Sequence, residues 1–140
     1  MNFNHLKKLE INDKTSEMIL FSVPGEPTLI LRRATEVNKP YFNAVLKRTK
    51  RNMAAVKGGG VNATMIQESR ADDKDLYSKH VIVGWNNMID ADGQPVEFSQ
   101  ANCAEFLDCL PDWMFDDIRA HAADPANFMA VIDIEGRLKN

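Results

Sequence analysis

The side chains with chemical potential in this sequence are three histidines, two cysteines, a few closely spaced aspartates and one basic run. His5, His80 and His121 stand apart, and no local pattern sets a serine or cysteine nucleophile beside any of them. His121 can pair with Asp117 four residues earlier, an arrangement that ordinarily supports a helix surface. Asp90-Ala91-Asp92-Gly93 starts like a calcium loop, but that loop needs glycine sixth and glutamate twelfth, and here Gly93 is fourth and Ala101 twelfth. A plain turn is the better reading. Asp112, Asp116 and Asp117 fall in the opening turns of a helix, where negative charge already complements the dipole. Cys103 and Cys109 lie six positions apart on one expected helix, about 9 Å along its axis, which is beyond disulfide reach. Without nearby histidines they also fall short of the four ligands of a structural zinc site, so no metal, no cofactor and no catalytic residue is indicated. Free cysteines point to a reducing compartment.

The run Lys47-Arg48-Thr49-Lys50-Arg51, with Lys57 beyond, is the best candidate for nucleic-acid contact. Interleaved stacking aromatics are missing and the second half of the chain is acidic, so the run reads better as a solvated face that complements a helix C-terminus. Gly58-Gly59-Gly60 is not followed by Gly-Lys-Ser/Thr and opens no evident strand-to-helix turn, so it lacks the features that cradle phosphate.

The elements that must position these residues change character along the chain. Leu9 and Ile11 alternate with polar residues, Asn12 to Ser16 supply turn chemistry, and Met18-Ile19-Leu20-Phe21 and Thr28-Leu29-Ile30-Leu31 are apolar runs around Pro24-Gly25-Glu26-Pro27. These predict an antiparallel β-meander. From Asn38, a cap followed by Pro40 in the first turn, the residues Phe42, Val45, Leu46, Thr49 and Met53 follow a helical stripe ending near Lys57. Residues 1 to 57 thus form a meander plus an amphipathic helix. Residues 58 to 74 read as a flexible glycine-containing connector, and residues 75 to 140 as a helical lobe.

In that lobe Tyr77, Val81, Gly84, Trp85 and Met88 predict a helix from about Asp73 to Met88. Asp90 to Pro95 is a turn, Val96 to Phe98 is extended, and Ser99 caps a helix bearing Cys103, Phe106, Leu107 and Leu110. Pro111 interrupts it before a helix lined by Met114, Phe115, Ile118 and Ala122, so Trp113 projects from a corner. Asp124-Pro125 caps a last turn with Asn127 and Phe128. Met129 to Ile134 fits a strand or a continued helix equally. The fold class is α+β.

A chain of 140 residues, 44% hydrophobic and 26% charged, is enough for one folded domain. It has no apolar run of membrane-spanning length and no secretory signal at its start, so no membrane association is expected. Net charge is -3, yet residues 1 to 70 hold 12 Lys and Arg against 6 Asp and Glu, while residues 71 to 140 hold 5 against 14. Such polarity predicts self-association or two faces for different partners.

Residues 77 to 87, Tyr-Ser-Lys-His-Val-Ile-Val-Gly-Trp-Asn-Asn, followed by Asp90-Ala91-Asp92-Gly93-Gln94-Pro95-Val96-Glu97-Phe98-Ser99, resemble tail assembly chaperones of long-tailed bacteriophages. Leu107 to Ile118 and Asp124 to Phe128 continue that pattern in the same order. Asn38 to Leu46 is similar to the helix start after that family's N-terminal strands. The resemblance implies a small non-enzymatic protein of the infected host's cytoplasm that binds the aggregation-prone tape-measure protein, helps recruit tail-tube subunits, and is absent from the finished virion. It also implies that a longer frameshifted form can exist. A binding role is carried over to the matching apolar positions Trp85, Phe98, Leu107, Leu110, Trp113 and Phe115, of which more than half are expected to be core. The alternative is a structural phage protein such as a head-tail connector or capsid-associated component, which would stay in the particle.

Overall fold

Two prolines and a left-handed turn set the first strand pair. In the computed structural model, which describes residues 1–9, 14–56 and 63–129, strand β1 (Ser16–Ile19) pairs antiparallel with β2 (Thr28–Leu31), Ser16 opposite Leu31 and Ile19 opposite Thr28. Gly25 at φ +86° turns the chain between them. An added Cβ there would also meet Ile89 Cγ1 at 3.0 Å, so the position excludes side chains twice over. A third strand, β3 (Ile82–Asn86), adds antiparallel to β2 and completes the order β1-β2-β3. Between Ile30 paired with Gly84 and Leu31 paired with Ile82, Val83 is one residue extra, a bulge on β3.

Among the described residues, four helices follow or interrupt the strands: α1 (Lys39–Val56), α2 (Ala63–His80), α3 (Gln100–Cys109) and α4 (Asp112–Ala123). Short 3₁₀ turns span Asn4–Leu9 and Pro125–Phe128. One continuous core joins Leu29, Leu31, Ile82 and Trp85 of the sheet to Tyr77, Cys103, Leu107, Phe115, Ile118 and Phe128. Aromatic edges knit it, with Tyr77 lying edge-on to Phe115 at 5.4 Å and to Tyr41 at 5.9 Å.

Asn38 ties the start of α1 to the rest. Its amide nitrogen donates to the carbonyls of Arg33 and His80, each at 2.9 Å, and its amide oxygen accepts from the Tyr41 N–H. Ser99 accepts from the Asn102 N–H and Asp124 from the Ala126 N–H, as expected of caps. Asp90 likewise holds the turn to Pro95 by accepting from the N–H groups of Asp92 and Gln94.

The α+β class holds, while two boundaries differ from expectation. The helix expected to reach Met88 stops at His80, and Ile82–Asn86 is a strand. The β-branched run Val81-Ile82-Val83 favours extended backbone, and Trp85 and Met88 are buried from there all the same. The expected connector is instead α2 from Ala63 onward, so residues 63 to 74 are helical. Leu9 lies in the first 3₁₀ turn and not in a strand, whereas Ile11 to Asp13, the triple glycine and the segment after Met129 lie outside the described residues.

Asn38→Ala removes one cap and leaves two carbonyls without their donor, so it should cost about 1 to 3 kcal/mol. Urea unfolding should show a lower midpoint with an unchanged slope.

Candidate functional site

Helix α4 starts immediately after Pro111, and its rotation decides which aromatic faces out. Phe115, Ile118 and Ala122 form its buried stripe at i, i+3 and i+7. Trp113, two positions before Phe115, points about 200° away from that stripe and is 57% exposed. It does not stand alone. Phe21, 72% exposed, and Ile19, 46% exposed, come from the end of β1 and the following turn, and with Val23, Met114 and Asp117 they line an open cleft of about 190 Å³.

Ile19 and Phe21 were not among the expected site residues, although a signal for them exists. Met18-Ile19-Leu20-Phe21 is a four-residue apolar run leading out of a strand with one covered face, so alternate side chains must point to solvent. Met18 and Leu20 turn inward; Ile19 and Phe21 do not.

A dense ion network fixes α4 behind this cleft. Asp73 of α2, buried, accepts from Arg48 of α1 and, at 2.8 Å, from Arg119 of α4. Arg119 also pairs with Asp116, and Arg70 reaches Asp116 and Asp112 at 3.3 Å each. Lys74 and Arg119 both lie over the Phe115 ring, at 5.8 and 5.2 Å from its centre. The hydrogen bonds from Arg119 and Arg70 hold the Asp116 carboxyl below the usual carboxylate range.

This network corrects two readings of charge. Arg48 and Arg51 of the basic run are not simply solvated, since Arg48 meets Asp73 and Arg51 meets Asp72. Part of the opposition between the basic first half and the acidic second half is therefore met inside the molecule, through Arg48, Arg51 and Arg70. Asp112 and Asp116 likewise bridge to α2 in addition to facing a helix start. His121 does not pair with Asp117; its Nε2 lies 2.9 Å from Ser16 Oγ on β1, and burial lowers its pKa.

The six expected binding positions separate by burial. Leu107 and Phe115 are fully enclosed, and Trp85 is buried with its Nε1–H donating to the Val96 carbonyl at 2.9 Å. Phe98 and Leu110 are half-buried against the core, Phe98 edge-on to Trp85 at 5.1 Å. Trp113 is the one exposed member of the six. Cys103 and Cys109 both sit on α3 as free thiols, and burial pushes the Cys103 thiol up to about 12, which leaves it unreactive at neutral pH. Among the described residues, no group of three or more His, Cys, Asp or Glu side chains is placed to hold a metal ion.

What these elements define is a small α+β protein with an open, largely apolar cleft between the β1–β2 turn and the start of α4. The profile of the YdaY prophage protein family matches residues 37–136, and the chain belongs to that family. It is thereby a phage-derived protein. No curated protein and no solved structure matches it.

Trp113→Ala should leave thermal melting essentially unchanged, within about 0.5 kcal/mol, because the ring packs into no core. Phe115→Ala, two residues on, should cost about 3 to 5 kcal/mol. Calorimetry of the two variants side by side separates surface from core. Acid titration tests the network: because the Asp116 carboxyl is lowered when folded, its stabilisation is full above its ordinary value of 3.8 and is lost as pH falls below it. Asp116→Asn should lessen that acid dependence in melts taken between about pH 5 and pH 2.

Proposed function

We propose that this protein is a tail assembly chaperone that binds the tape-measure protein and helps recruit tail-tube subunits. The observation that carries the reading is the exposed cluster of Ile19, Phe21 and Trp113 around one open cleft, in a protein of prophage descent. Large aromatic side chains gathered at a surface cost solubility and are the usual anchors of protein interfaces. The resemblance of residues 77 to 128 to phage tail assembly chaperones supplies the class of partner. A long tape-measure chain exposes apolar helical stripes before the tube forms around it, and a small protein with an open apolar cleft can cover them.

In this reading the protein needs no catalytic group. Phe21, Ile19 and Trp113 make contact with the partner, and Trp85, Phe98, Leu107, Leu110 and Phe115 belong to the scaffold. The protein acts in the cytoplasm of the infected host and does not remain in the particle.

Co-expression with the tape-measure protein of the same prophage tests this. The wild-type chain should move the tape-measure protein into the soluble fraction and co-purify with it, and Trp113→Ala should reduce both while melting normally. Failure of the wild type to solubilise it, or recovery of this chain in purified virions at structural stoichiometry, would contradict the reading.

A further inference from the structure

We propose that the cleft between the β1–β2 turn and the start of α4 seats an amphipathic helix whose apolar stripe is flanked by lysine or arginine. The inference rests on the chaperone reading and specifies the partner segment that this reading leaves open.

Charge carries the first half of the argument. The cleft is lined by apolar residues, Ser22 and Asp117, with no cation among its lining residues. Asp112 and Asp116 on the same helix are already held by Arg70, Lys74 and Arg119, whereas Asp117 is exposed and makes no ion pair among the described residues. Glu17, on the same exposed side of β1 as Ile19, is likewise exposed and has no ion pair among the described residues. An occupant that buries Phe21 and Trp113 therefore brings its own flanks against two carboxylates that no described residue neutralises. Cationic flanks complete them, and acidic flanks are repelled.

Shape carries the second half. β1 is only four residues long, and a strand that short offers little edge for an added strand. What it does offer are side chains, Ile19 and Phe21 on one wall and Trp113 with Met114 on the other, a corner that accepts the residues of one helical stripe. The protein's own α1 has a stripe of that general kind, with exposed Leu46 and Met53 beside Lys47 and Lys50. Of its other cations, Arg48 and Arg51 are held by Asp73 and Asp72 within the same molecule, which favours a foreign helix over a second copy.

The full-length chain can be titrated with synthetic peptides and followed by tryptophan emission, in which buried Trp85 gives a steady background and Trp113 reports the cleft. A peptide with leucine at i, i+3, i+4 and i+7 and lysine on the flanking positions should shift the emission to the blue. It should bind at least about tenfold tighter than the same peptide with glutamate flanks, and its affinity should fall as salt rises from about 0.05 M to about 0.5 M. Phe21→Ser should weaken binding about thirtyfold with unchanged melting, and Asp117→Lys should reverse the preference between the two flanks.

Equal binding of both flanks would overturn the inference, as would stronger binding of a peptide of the same composition with leucine and lysine alternating. Self-association in sedimentation that Phe21→Ser abolishes would also overturn it, by assigning the cleft to a second copy. A wild type that solubilises the tape-measure protein yet ignores these peptides removes the cleft assignment and leaves the chaperone reading standing. Peptide binding with the predicted preference, but without any effect on the tape-measure protein, supports the cleft and removes only the reading.

Discussion

Asp73 is the residue on which the arrangement of helices depends. A carboxylate buried at the centre of α2 is costly unless cations meet it, and two do, Arg48 from α1 and Arg119 from α4. For α1 the pairing matters because none of its described side chains is fully buried, so packing alone holds it weakly. For α4 it matters through rotation. Arg119 reaches Asp73 while lying over the Phe115 ring, and Phe115 in turn meets Tyr77 edge-on, so α4 is fixed about its axis. Fixing that rotation fixes Trp113 outward. The outward placement of Trp113 is thus a consequence of the Asp73–Arg119 ion pair on the opposite side of the same helix.

The sheet supplies the second wall of the cleft by a similar indirection. Met18 and Leu20 are drawn inward, and the alternation of a strand then leaves Ile19 and Phe21 facing solvent. Gly25 lets the following turn close tightly beside Ile89, which sets where that wall ends. One wall runs from the end of β1 into its turn and the other is the start of α4. A cleft anchored on a strand end and a helix start has part of its surface in place before anything binds, which lowers the ordering cost of association.

Local chemistry made much of the fold legible. Asn38, Ser99, Asp124 and the Asp90 turn announce themselves through capping and turn residues that act over a few positions. The errors have physical causes as well. Tyr77, Val81 and Trp85 are spaced by four, which satisfies a helical stripe and the even parity of a strand alike, so periodicity could not separate β3 from α2. Residues 63 to 74 looked like a connector because α2 is so polar there. That half of the helix is secured by ion pairs to residues far away, Arg70 to Asp112 and Asp73 to Arg119, which no local pattern reveals. In the candidate site, Trp113 was visible through Pro111, whereas its meeting with Phe21 depends on tertiary packing across the chain.

On the proposed reading, this protein of the YdaY family receives an assembling partner in the apolar cleft formed by Ile19, Phe21 and Trp113. Hydrogen exchange on the complex co-purified with the tape-measure protein, compared with the free chain, tests it most directly. The account predicts slowed exchange in residues 16 to 23 and 112 to 118, with α1 little changed. Protection concentrated on residues 39 to 56, or no protection at the cleft despite a stable complex, would contradict it.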